Sequence, residues 1–177
     1  DGFLRLLRLL PLLLTRLAPR DFAAGNYQVE LILFRQAGTP ILASQPVPDD
    51  WAGDAQLPAS GSERGTALNA EAAKLVAANG YEVVLHQAWV QAAGPTPVKV
   101  ALSSGQAQLG HSPAEGTLSL TFVDYLDVDA DFWVNQFDTD GLVTASERIK
   151  HSSRLKNGQL TYLDHGSLGL LIKVSPL

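Results

Sequence analysis

Cysteine is absent from all 177 residues. That removes disulfides, thiolate metal sites, a cysteine nucleophile and a lipid-modified N-terminal cysteine, so an exported product is expected to be soluble. Clustered basic residues interleaved with aromatics are also missing, and the net charge is −5 with an isoelectric point of about 5.2. A nucleic-acid partner is therefore not expected, because phosphate neutralisation supplies most of that affinity. No apolar run reaches the roughly 20 residues of a membrane-spanning helix. There is no glycine-rich phosphate loop and no G-x-S-x-G nucleophile elbow. The four histidines (His86, His111, His151 and His165) are scattered singly, without the i, i+4 spacing of a zinc-binding H-E-x-x-H helix. Asp127-x-Asp129-x-Asp131 opens like a calcium loop, but Phe132 stands where that loop needs glycine. These aspartates are expected on the solvent face of a strand. Asp164 and His165 are neighbours, which puts them on opposite faces of a strand rather than in a catalytic triad. The chain is expected to have no cofactor and no metal, and to act without catalysis.

What is present is a globular composition, 46% hydrophobic and 7% aromatic. Residues 1–24 carry Arg5 and Arg8 before Leu9-Leu10-Pro11-Leu12-Leu13-Leu14, a signal-peptide-like pattern. The alternative is an amphipathic helix with Leu6, Leu9, Leu10, Leu13 and Leu17 on one face. Residues 25–177 are expected to form a single α+β domain. Tyr27–Phe34 is apolar on both faces and predicts a buried strand. Residues 37–65, rich in Ala, Gly, Pro, Ser and Asp, predict a long functional or mobile loop around Trp51. Leu68, Ala72, Leu75, Val76 and Asn79 have helical spacing, with Thr66 or Asn69 to cap the start and Gly80 to end it. Strands are expected from Tyr81, at Val98–Leu102 and in a meander from Thr117 onward. Asp138-Thr139-Asp140-Gly141 and Asn157-Gly158 supply turns, the second being the best hairpin signal. The predicted fold is one antiparallel sheet of about six or seven strands with one main helix packed on a face.

Arg148, Lys150, Arg154 and Lys156 share parity, so a strand there puts four cations on one face. A four-residue loop at Asp138–Gly141 would set Asp131 opposite Arg148 and Asp129 opposite Lys150. Such pairs mainly fix register, contributing about 0.2–1 kcal/mol each. Arg154 and Lys156 then lack an obvious partner and become candidates to contact a carboxylate, because the arginine fork matches that geometry. Trp51 is a further candidate, for stacking on a sugar or entering a partner's pocket; the alternative is a plug at the core edge. His86, Asp164 and His165 are expected to make structural hydrogen bonds.

Three segments bring a family into view. Tyr27-Gln28-Val29-Glu30-Leu31-Ile32-Leu33-Phe34-Arg35 resembles the opening strand of the CsiV family of periplasmic peptidoglycan-binding proteins. Gly80-Tyr81-Glu82-Val83-Val84-Leu85-His86-Gln87-Ala88-Trp89-Val90-Gln91, after a helix, and Gly158-Gln159-Leu160-Thr161-Tyr162-Leu163-Asp164-His165 continue the similarity in order. The resemblance implies a periplasmic, non-catalytic protein that binds peptidoglycan as an accessory factor in cell-wall assembly. It also implies partners: an outer-membrane lipoprotein and the class A penicillin-binding protein which that lipoprotein activates. Two other readings remain open at this stage, a protein–protein adaptor for the lipoprotein without direct wall binding, and a wall hydrolase.

Overall fold

A computed structural model describes residues 24–177. The signal-peptide-like pattern, up to Ala23, lies outside the described residues. The strands are β1 (Gly25–Gln36), β2 (Glu63–Arg64), β3 (Tyr81–Ala93), β4 (Val98–Ser104), β5 (Ala114–Phe122), β6 (Leu126–Phe137), β7 (Val143–Leu155), β8 (Thr161–His165) and β9 (Leu168–Pro176). They form two antiparallel sheets, one of five strands in the order β2-β3-β1-β9-β8 and one of four in the order β4-β5-β6-β7.

This corrects the expected α+β fold with one sheet and one main helix. Alternation of apolar residues marks an inward face, but it is the same for a strand covered by a helix and one covered by a second sheet. Here each sheet covers the other, so the fold is mostly β. One core joins Val29, Leu31 and Leu33 of β1 and Trp89 of β3 to Leu118 of β5 and Phe132 of β6. Complete burial of each such side chain contributes about 1.5–3 kcal/mol. β1 is apolar on both faces because Val29, Leu31 and Leu33 pack into the core between the sheets while Ile32 and Phe34 pack outward against Leu68.

The helix is only α1 (Asn69–Lys74), followed by a 3-10 turn at Ala77–Asn79. Its apolar contact with the sheet comes from Leu68, Ala72 and Leu75, and stops there. β-branched Val76 then takes an extended conformation (φ −116°, ψ 162°), while the Asn79 side-chain amide donates to the Lys74 carbonyl. Gly80, at φ 83°, turns the chain into β3 as its position suggested. Neither Thr66 nor Asn69 caps the helix amides. Glu30 of β1 accepts from the Ala67 and Leu68 amides instead, both at 2.8 Å.

The four-stranded sheet is a continuous meander inserted between β3 and β8. Gly94–Pro97 carries the chain into it. Asn157-Gly158 lies on the return path, joining strands of different sheets rather than closing a hairpin. The segment between β1 and β2 is tethered along its length. The Ala43 amide donates to the Ser146 carbonyl at 2.8 Å beside β7. Farther along, the Gln56 amide donates to the Lys99 carbonyl at 3.0 Å, and the Ala101 amide to the Gln56 carbonyl at 2.8 Å. This strap therefore runs from the β7 edge of the four-stranded sheet to its β4 edge.

On the outer side of the five-stranded sheet, the Phe34 ring lies over Gly169. A Cβ at Gly169 would meet ring atoms at 2.5 and 2.8 Å. Tyr81 meets Phe34 edge-on and Tyr162 stacks near it, so the ring has little room to shift. Gly169→Ala is expected to lower folding stability by about 1–3 kcal/mol through overpacking. The midpoint of urea unfolding measures this, and an unchanged midpoint would show that the ring yields freely.

Candidate functional site

The open surface of the four-stranded sheet collects most of the charged residues singled out by sequence. Side chains alternate across a strand, so Asp127, Asp129, Asp131 and Trp133 of β6 share this face with Arg148, Lys150, Ser152 and Arg154 of β7. The register differs from the expected one by two residues: Asp131 faces Lys150, and Trp133 faces Arg148. The loop closes between Phe137 and Val143, and a bulge at Gln136/Phe137 adds a further offset. An even shift preserves parity, so the same side chains still share the face.

Arg148 reaches diagonally to Asp131 with a two-pronged contact, Nε to Oδ1 and Nη2 to Oδ2, each 2.9 Å. Its guanidinium also lies 4.3 Å from the centre of the Trp133 ring, which it covers. Arg154 is not the unpartnered cation that was expected. It lies opposite Asp127, with Nε 3.4 Å from Oδ1, and its guanidinium sits 3.8 Å from the Tyr125 ring centre. The Ser152 hydroxyl donates to Asp129. Lys150 and Lys156 form no ion pair among the described residues; Lys150 lies on the face, whereas Lys156 follows the end of β7. Trp51 is half-buried in the strap, between Asp49, which contacts His111, and Asp54, which contacts Lys99 at 3.2 Å. The structure thus brings Arg148, Lys150 and Arg154 together and sets Trp51 and Lys156 apart from them.

Sequence reasoning missed a buried polar network at the end of the face. Glu115 and Glu147 are each 1% exposed. Glu115 accepts from the Ser112 amide at 2.6 Å and from Asn135 Nδ2 at 3.1 Å, and it lies 2.6 Å from His111 Nδ1. His111 Nε2 is 2.8 Å from Asp49 on the strap. Ser146 donates to Asn135 at 2.7 Å and accepts from the Val47 amide at 2.9 Å. Glu147 pairs with Arg35 of β1 at 3.1 Å and accepts from Ser167 at 2.6 Å. Ser167 in turn accepts from the Ile41 amide at 3.0 Å. One signal was available: an acid within the apolar run Ala114–Leu120 needs a partner, and His111 stands four residues before it.

His86 is similarly engaged, with Nε2 2.6 Å from Glu30. Burial alone would raise the Glu30 pKa, but His86 and the Ala67 and Leu68 amides outweigh it and hold the carboxyl below its ordinary value. Among the described residues no group of three or more His, Asp, Glu or Cys could hold a metal ion, and no helix is long and apolar enough to cross a membrane.

Two packed antiparallel sheets with an open, charge-paired outer face define a mostly β module. A family model described as "Peptidoglycan-binding protein, CsiV" matches residues 60–177, more than half of the chain. The chain belongs to that CsiV family. Two of the three resembling segments, from Gly80 and from Gly158, fall within the match, and the Tyr27–Arg35 strand precedes it. No curated protein and no solved structure matches the chain.

The His111 contacts generate a pH dependence. Burial disfavours the imidazolium, but the bonds to Glu115 and Asp49 outweigh that effect and raise the His111 pKa above 6.5. Both ring nitrogens can donate to carboxylates only in the protonated form. The stability contributed by this group is therefore complete below the unfolded value near 6.5 and is lost as pH rises through the higher folded value. Urea unfolding across neutral pH should show this decline, and His111→Gln should flatten it. An equally steep decline in the variant would place its origin elsewhere.

Proposed function

We propose that this protein is a non-catalytic peptidoglycan-binding protein of the periplasm that serves as an accessory factor in cell-wall assembly. The observation that carries the reading is membership of a peptidoglycan-binding family over residues 60–177. The open sheet face supports it chemically. Peptidoglycan is a hydroxyl-rich, carboxylate-bearing polymer. Lys99, Lys150, Thr117, Ser119 and Ser152 line a shallow depression of about 190 Å3 on that face, with Asp129 and Asp131 beside them. Such a surface offers donors to carboxylates and acceptors to hydroxyls without a deep pocket.

A binding role without catalysis fits the state of the acids. Glu30, Glu115 and Glu147 are buried and already accept two or more hydrogen bonds each. A wall hydrolase needs carboxyl groups flanking the scissile bond at an accessible cleft. The exposed aspartates of β6 are instead engaged by Arg148, Ser152 and Arg154.

Incubation of the purified protein with protein-free sacculi tests the reading. The protein should pellet with the sacculi, release no soluble wall fragments and be eluted progressively by salt, because exposed charges are screened. Protein left in the supernatant contradicts wall binding, and release of fragments contradicts the absence of catalysis.

A further inference from the structure

Beside the outer edge of β7 lies a cleft of about 280 Å3. Its walls are Ile41, Leu42 and Ser44 of the strap, Arg148 and Lys150 of β7, and His165 at the end of β8. Among the described residues no carboxylate lines it. Of its lining side chains, Arg148 is held by Asp131, while the strap residues are tied in through the backbone amides of Ile41 and Ala43. We infer that this cleft is a carboxylate-binding subsite for the peptide portion of the wall, an inference that rests on the wall-binding reading.

Three observations carry it. The first is charge: Lys150 is exposed and forms no ion pair among the described residues, and it stands beside Arg148 and His165. An anion is the complementary ligand. The second is the strand edge. Among the described residues, β7 has a strand neighbour only on its β6 side, apart from the single bridge of Leu42 to Glu147. The Ser146 carbonyl points outward to Ala43, and backbone groups alternate along an antiparallel strand. The N–H and C=O of Lys150 therefore also face outward, where an extended peptide can take them up. The third is the apolar wall. Ile41 and Leu42 remain 62% and 50% exposed, giving the methyl-bearing side chains of a short peptide a surface to cover.

The frame of the cleft is built rather than incidental. The Ile41 amide is bonded to Ser167, Ser167 to Glu147, and Glu147 to Arg35, which ties the strap to the β8–β9 turn behind the site. A glycan strand stripped of peptide keeps its lactyl carboxylates but lacks the extended amide backbone that the strand edge can take up.

The probes are a soluble wall stem peptide with free carboxylates and the same peptide with its carboxylates amidated, each titrated calorimetrically. The free-acid peptide should bind. Amidation should weaken binding about tenfold, the scale of one lost charge-assisted contact. Lys150→Gln should weaken free-acid binding to a similar extent. Lys74→Gln, the same charge change on α1, should leave it unaltered. Equal binding of acid and amidated peptides, or wild-type binding by Lys150→Gln, would overturn the inference. If the protein still pellets with sacculi in those cases, only the subsite fails; loss of pelleting would remove the wall-binding reading itself.

Discussion

Two buried carboxylates at one corner of the fold, Glu115 on the outer side of the four-stranded sheet and Glu147 facing the other sheet, impose the constraint on which much of this architecture depends. A charge taken out of water is tolerated only when paired and hydrogen-bonded, and removing one partner of such a group costs several kcal/mol. Glu147 meets that demand by reaching Arg35 on the other sheet and Ser167 in the β8–β9 turn. Glu115 meets it through Ser112, Asn135 and His111. Because Asn135 and Ser146 lie opposite each other on β6 and β7, the two acids belong to one corner of the fold. The hydrophobic core is non-directional and holds the sheets together; the polar corner adds geometric specificity to their contact.

The strap inherits its path from that corner. Ile41, Val47 and Asp49 each donate to or contact a member of the network, and Gln56 then docks at the opposite edge of the same sheet. Across the remaining outer surface, β6 and β7 present acids and bases that largely satisfy one another. What is left over is local: Lys150 without an ion pair among the described residues, a strand edge bridged only at Leu42–Glu147, and the exposed apolar pair Ile41 and Leu42. The same bonds that place the strap thus define the borders of the cleft assigned to ligand.

The strands were legible from alternation and turns, while their division into sheets was not. Leu118 and Leu120 alternate with polar residues in the same way whether a helix or a second sheet covers them, and no local signal distinguishes the two. The helix was overextended because Leu68, Ala72, Leu75 and Val76 have helical spacing, whereas contact with the sheet ends at Leu75. Glu30, which accepts from the Ala67 and Leu68 amides just before the helix, lies far away in sequence. The Arg148–Asp131 contact was anticipated through an incorrect register, and it survived because the error was even. Arg154 was misjudged for the converse reason: the same offset brings Asp127 opposite it. The polar corner joins β1, the strap, the meander and the β8–β9 turn, so only the His111–Glu115 portion left a trace at short range.

In the proposed binding mode the wall is engaged through the β7 side of the four-stranded sheet. Hydrogen exchange of the full protein, free and bound to sacculi, tests it most directly because it maps contact without altering any residue. Wall contact at this edge should slow exchange at Lys150 and Ser152 of β7 and at the strap around Ile41–Ser44. Slowed exchange confined to α1, β3 and the Tyr162 surface of the other sheet would contradict it.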